Sequence, residues 1–183
     1  MNHTILNVPL VSDIPDNAKR VLFGMGCFWG VERLFWQLDG VYRTAAGYAG
    51  GVMENPDYRT VCSGTTGHTE VVEVVYFPDQ ISLNELLKVF WENHDPTQGH
   101  RQGNDVGSQY RSMITTYDPD QAQDALESRN SYQAALTKSG YGNITTELNS
   151  DQTFWIAEEY HQQYLDKNPN GYCGISGTGT CFI

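Results

Sequence analysis

Arg20-Val21-Leu22-Phe23 is a short apolar run that stops at Gly24 and Gly26, a pattern that predicts a buried strand leading into a tight turn. Phe28, Val31, Leu34, Phe35 and Leu38 then recur at helical spacing as far as Gly40, which puts Cys27 at or within one turn of a helix start. Val41 to Gly51 reads as a strand, and Asn55-Pro56-Asp57-Tyr58 is turn chemistry on the way to Cys62. Residues 70–77 are dense in β-branched and aromatic side chains and end at Pro78, as a central strand does. Ser82 and Glu85 form an S-x-x-E capping box ahead of Leu86, Leu87, Phe90 and Trp91, which share one helical face.

Pro96 to Gln109 is polar, carries three glycines and is too long for a simple connector, the kind of loop that holds functional groups. Tyr110 to Tyr117 resembles a strand. Asp118-Pro119 supplies an N-cap and a first-turn proline for a polar helix through about Lys138. A short strand near Ile144 and a helix from about Phe154 to Leu165 are expected next. Asn168 to Ile183, with Pro169 and four glycines, reads as an irregular, mobile tail. No repeat, low-complexity tract or linker divides the chain, so 183 residues make one domain, 1–183, large enough to bury a core without disulfides.

Composition narrows the chemistry. With 22 Asp and Glu against 11 Lys and Arg the net charge is −11, which argues against a nucleic-acid partner. No stretch reaches the roughly 18 to 20 apolar residues of a membrane span, and residues 1–17 lack the pattern of a secretory leader. A soluble, cytoplasmic protein is expected, and in a reducing compartment Cys27, Cys62, Cys173 and Cys181 are candidates for catalysis, metal binding or plain burial.

Gly24-Met25-Gly26-Cys27-Phe28-Trp29-Gly30 is not a dinucleotide fingerprint, because Trp29 stands where G-x-G-x-x-G needs glycine. It does place a thiol at a helix start, where free N–H groups and the helix dipole favour a thiolate. Cys27 is therefore the leading nucleophile, the alternative being a small buried residue. Phe28 and Trp29 are core or binding surface; adjacent helical residues point about 100° apart, so one ring should project beside Cys27 as a pocket wall. Cys173 and Cys181 lie in a glycine-rich tail suited to successive disulfide exchange, unless they are incidental to a disordered end.

Glu70, in Gly67-His68-Thr69-Glu70, sits at the mouth of an apolar strand, where desolvation would keep it protonated as a general acid; otherwise it is a solvated strand-end carboxylate. Zinc is disfavoured because the cysteines and His68, His94, His100 and His161 form neither C-x₂₋₄-C nor H-x₃₋₅-H pairs, so no metal ligands are assigned. A cysteine hydrolase using Cys27 with a histidine base is the second reading.

Gly26-Cys27-Phe28-Trp29-Gly30 resembles the catalytic signature of the A-type peptide methionine sulfoxide reductases. The likeness continues through Ala46-Gly47-Tyr48-Ala49-Gly50-Gly51, Gly67-His68-Thr69-Glu70, His94-Asp95-Pro96-Thr97-Gln98-Gly99 and residues 102–112, and spans about Val21 to Cys181. Ser108 and Thr69 stand where threonine and alanine are frequent, and neither removes a catalytic group.

The resemblance implies an α+β fold, a ferredoxin-like two-layer α/β sandwich with a mixed sheet and an irregular Gly-rich C-terminal tail, 168–183, carrying resolving cysteines. It implies an oxidoreductase, a thioredoxin-dependent peptide-methionine (S)-S-oxide reductase that repairs oxidised proteins and also takes the free sulfoxide. Cys27 matches the family's nucleophile, which becomes a sulfenic acid. Glu70 matches its acid; Tyr58, Tyr110 and Asp105 its sulfoxide-binding residues; Phe28 and Trp29 its aromatic wall; and Cys173 and Cys181 its resolving cysteines, which form the redox-active disulfide. Cys62 matches a position without a role. No bound cofactor is implied, only thioredoxin or another dithiol as reductant, with no nucleic acid or membrane among the partners.

Overall fold

The computed structural model describes residues 1–182. The apolar run Lys19–Met25 is strand β1, and Phe28–Trp36 is helix α1, with Cys27 as its N-cap residue. Strand β2 follows at Val41–Ala49, a one-turn helix α2 at Tyr58–Cys62, strand β3 at Thr69–Tyr76 and helix α3 at Leu83–Glu92. Short strands β4 (Arg101–Gln102) and β5 (Asp105–Val106) form a hairpin in the polar loop, and a 3₁₀ turn at Ser108–Tyr110 leads to strand β6, Ser112–Thr116. Helix α4 (Pro119–Lys138), strands β7 (Glu147–Ser150) and β8 (Trp155–Ile156) and helix α5 (Tyr164–Lys167) complete the chain.

The main sheet runs β7-β6-β1-β3-β2-β8, antiparallel except where β7 lies parallel to β6. Its inner four strands carry two interlocked split β-α-β units, β1-α1-β2 around β3 and β3-α3-β6 around β1, the ferredoxin-like topology. Strand alternation sets the layers. Val72, Val74 and Tyr76 of β3 face α1 and α3 in the main core, together with Phe23, Phe35, Phe90 and Trp91, while Val71 joins Leu22, Ala49 and Met113 on the opposite face. Phe23 stacks on Phe35 with ring centroids 4.8 Å apart. The Ser82–Glu85 capping box forms in full, with Glu85 N–H donating to Ser82 at 3.2 Å and the Glu85 carboxylate accepting the Ser82 N–H at 2.8 Å. Asp118 caps α4 by accepting the Gln121 N–H at 2.8 Å.

Three expectations need correction. Residues 55–58 are more than a turn: Asp57 caps α2 by accepting the Thr60 N–H at 2.7 Å, in a helix too short to leave an apolar period. The strand expected near Ile144 begins at Glu147, where pairing with β6 fixes it through Met113↔Glu147. The helix expected over 154–165 is largely absent. Trp155 and Ile156 instead pair with Tyr48 and Gly47 at the sheet edge, and the Gln162 amide bridges both backbone groups of Ala46 at 2.9 and 2.8 Å. Gly47 permits this, since a Cβ there would collide with the Phe154 ring and the Trp155 carbonyl. From Asn168 to Phe182 the chain is irregular. Among the described residues no helix is long and apolar enough to cross a membrane.

Candidate active site

The site lies where β1 ends and β3 begins. Antiparallel pairing of Phe23 with Val72 brings the β1 terminus next to Glu70, and Glu70 pairs with Tyr48 on β2. Glu70 shares the parity of Val72 and Val74, so its carboxyl points into the helix layer beneath the start of α1. Gly26 makes the turn with φ +95°, and the Gln102 side chain fills the space a side chain there would need.

Glu70 is 1 % exposed, and its Oε2 accepts the Phe28 backbone N–H at 3.1 Å. Burial pushes its pKa up to about 8; the Phe28 hydrogen bond opposes this and the Asp105 charge adds to it. Cys27, half-buried, departs from the thiolate expected at a helix N-terminus. Burial first, and the Glu70 charge second, push its pKa well above the ordinary thiol value, and the nearby Trp29 N–H offsets only part of this. Near neutral pH the thiol and the carboxyl both hold protons.

Tyr58, at the first turn of α2, and Tyr110, at the end of the 3₁₀ turn, are half-buried, and burial pushes both phenols upward, so each remains an O–H donor. Asp105 reaches the site from β5, and its Oδ2 accepts the Tyr172 hydroxyl at 3.1 Å. Phe28 is buried in the core against Tyr48 and His161, whereas Trp29 is the half-exposed ring: it stacks on Tyr164 at 3.8 Å and donates its indole N–H to His161 Nδ1 at 3.0 Å. Cys173 is exposed, with its Sγ accepting from Arg33 at 3.2 Å, and Cys62 and Cys181 are exposed free thiols. The structure thus brings Cys27, Phe28, Trp29, Glu70, Tyr58, Asp105 and Tyr110 to one end of the sheet, with Cys173 beside α1. Cys181 lies farther along the tail and lines one cavity with Ala134, Ala135 and Lys138 of α4.

Sequence reasoning missed the supports of this arrangement. Glu158 accepts the Tyr48 hydroxyl at 2.9 Å and the Tyr58 N–H at 2.8 Å, fastening α2 to the sheet. His161, weighed only as a metal ligand or base, is 1 % exposed and touches the rings of Phe28, Trp29 and Tyr58. Buried Glu32 takes two hydrogen bonds from Gln163, at 2.7 and 2.6 Å, holding the chain beside His161 against α1. Their one signal was polarity in a stretch otherwise fit for a surface helix.

The buried histidines do not equip Cys27 with a base. His3 bonds Thr44, His68 bonds Met53 and Gly51, His94 bonds Phe90 and Ser112, and His161 accepts from Trp29. Among the described residues no cluster of three or more His, Cys, Asp or Glu is arranged to hold a metal ion.

Fold and site together define a class: an α+β domain that sets a thiol, a neutral carboxyl and two phenols beside an aromatic wall, with further thiols on a terminal strap. Residues 19–180 match the family model of the peptide methionine sulfoxide reductases, and the chain belongs to that family. It is 60 % identical over 179 residues to the peptide methionine sulfoxide reductase MsrA of Pseudomonas aeruginosa (strain LESB58), covering 98 % of this chain and 83 % of that one. Among solved structures it is similar to methionine sulfoxide reductase A of Corynebacterium diphtheriae, with a TM-score of 0.88 and 46 % identity over 94 % of this chain and 84 % of that one. It is also similar to Mxr1 of Saccharomyces cerevisiae in reduced form, with a TM-score of 0.82 and 34 % identity over 90 % of this chain and 93 % of that one.

Proposed function

We propose that this protein reduces the S epimer of methionine sulfoxide, free or within oxidised proteins, to methionine, in one catalytic domain whose tail, residues 168–183, moves during the cycle. The observation that carries the reading is the buried, protonated Glu70 at the start of the helix that Cys27 begins, in a chain of this family.

Cys27 sulfur attacks the sulfoxide sulfur. The sulfoxide oxygen is a poor leaving group, and Glu70 supplies it with a proton while the Tyr58 and Tyr110 hydroxyls donate hydrogen bonds to it. The proton lost from the Cys27 thiol restores Glu70. The S–O bond to the methionine sulfur breaks and the oxygen passes to Cys27 as a sulfenic acid while methionine departs, so Cys27 sulfur is oxidised, the methionine sulfur is reduced and no net proton is consumed. Trp29 receives the substrate methyl group, for which aromatic faces are suited, with buried Phe28 packed behind it, and Asp105 joins the two tyrosines in binding the sulfoxide substrate. Cys173 then condenses with the sulfenic acid, Cys181 exchanges onto Cys173, and an external dithiol of the thioredoxin type reduces the Cys173–Cys181 disulfide. No bound cofactor is required, and the reducing cytoplasm, where such dithiols operate, is the compartment this cycle suits.

The test is turnover of each sulfoxide epimer with a dithiol. Methionine formed from the S epimer alone, and lost in Cys27→Ser, supports the reading; equal turnover of both epimers or sustained multiple turnover without a reductant refutes it.

A further inference from the structure

The first residues of the tail are seated beside α1 by three successive contacts, to β5, to α1 and to the main core. Tyr172 donates its hydroxyl to Asp105 at 3.1 Å, Cys173 Sγ accepts from the Arg33 guanidinium at 3.2 Å, and Ile175 packs against the main core. The surface of α1 is shaped for this. A Cβ on Gly30 would stand 2.9 Å from Cys173 Sγ and 2.6 Å from Ile175 Cγ1, so only glycine leaves room for the sulfur. Gly30 lies three residues after Cys27 and three before Arg33, so sulfur and guanidinium share a helix face, about 5 Å along the axis from the nucleophile.

We infer that Arg33 and Tyr172 are positioning residues for the resolving step: Arg33 holds the Cys173 sulfur over Gly30, within reach of Cys27, and Tyr172 fixes the backbone that carries it. The inference rests on the proposed relay. In the step concerned, the Cys173 thiol attacks Cys27 sulfenic acid. The S–S bond forms, the S–O bond breaks, and the hydroxyl leaves with the Cys173 proton as water; Cys173 sulfur is oxidised and Cys27 sulfur reduced. Because Tyr172 occupies Asp105, a substrate that uses this carboxylate displaces the seat, and the seat re-forms once methionine leaves. Reduction and resolution therefore take turns at one residue.

The experiment is a quenched single turnover in the Cys181→Ser background, where the first disulfide cannot be passed on. It follows methionine release, Cys27 sulfenic acid trapped by a cyclic diketone, and the Cys27–Cys173 disulfide by peptide mass. Arg33→Met is expected to release methionine at the parent rate yet close the disulfide about tenfold more slowly, the factor for losing one hydrogen bond from a charged donor, with trapped sulfenic acid rising to match. Arg33→Lys restores part of the rate, and Tyr172→Phe slows the same step. Disulfide closure at the parent rate in both Arg33→Met and Tyr172→Phe overturns the inference while leaving the relay intact. If the parent itself forms no Cys27–Cys173 disulfide, the relay reading fails and the inference fails with it.

Discussion

The Glu70 carboxyl accepts the backbone N–H of Phe28 at 3.1 Å from 42 residues away, so a residue of the central strand caps the helix that Cys27 begins. Cys27 supplies no side-chain cap of its own. One contact thereby fixes the distance between candidate nucleophile and candidate acid. Glu70→Gln retains an acceptor for that N–H but has no acidic proton to give. Methionine release in a single turnover should slow by about a hundredfold or more, within the range for general acid catalysis, with the melting temperature at neutral pH no lower than the parent's. An undiminished rate would remove the acid role.

Glu32, Glu70, His3 and His94 should together leave stability nearly level from about pH 5 to 6 and lower it above pH 6.5. Burial lifts the native pKa of Glu32 to about 7 and of Glu70 to about 8, both above the ordinary 4.5. Between 4.5 and these values the native state holds protons that the unfolded chain has released, so stability falls as pH rises. Burial lowers His3 and His94 to about 4 from 6.5, so between those values the unfolded chain holds the extra protons and stability rises with pH. The two effects oppose below pH 6.5, and above it only the carboxyls act. Melting curves from pH 6.5 to 8 should fall in the parent and fall less in Glu70→Gln; identical slopes would contradict the assignment.

Gly30→Ala separates the helix from the tail. Gly30 lies in the first turn of α1, where alanine is at least as good a helix former as glycine, so the helix itself should not be weakened. The new Cβ would nonetheless stand 2.9 Å from Cys173 Sγ and unseat it. Steady-state turnover with a dithiol should drop several-fold while the first equivalent of methionine still appears. Full steady-state turnover would mean that the seat is dispensable.

Trp29→Phe keeps an aromatic face but removes the indole N–H that His161 Nδ1 accepts at 3.0 Å. His161 Nε2 already lacks a hydrogen-bond partner, so the substitution leaves both ring nitrogens of a buried histidine unsatisfied. The cost is about 1 to 3 kcal/mol, read as a lower denaturant midpoint, together with a raised KM for the sulfoxide. A midpoint equal to the parent's would show that the indole bond contributes nothing net.

Helices α1, α3 and α4, the central strand β3 and the place of Cys27 at a helix start were all legible in the sequence. Each is written in neighbouring residues: an apolar period, a Ser82–Glu85 box, an Asp118-Pro119 start, a run of β-branched side chains. What required the tertiary structure depends on groups remote in sequence. Residues 154–165 carry a helix-like pattern, yet Gln162 bonds Ala46, 116 positions away, and Trp155 pairs with Tyr48, so sheet-edge pairing overrides local preference. The protonation of Cys27 follows the same rule. Its helix start favours a thiolate, but the burial and the nearby carboxyl that decide the balance come from the packed fold. The cysteines of the tail stand in the sequence itself; that Cys173 rests against Arg33 in a gap left by Gly30 emerges only when the tail folds back over α1.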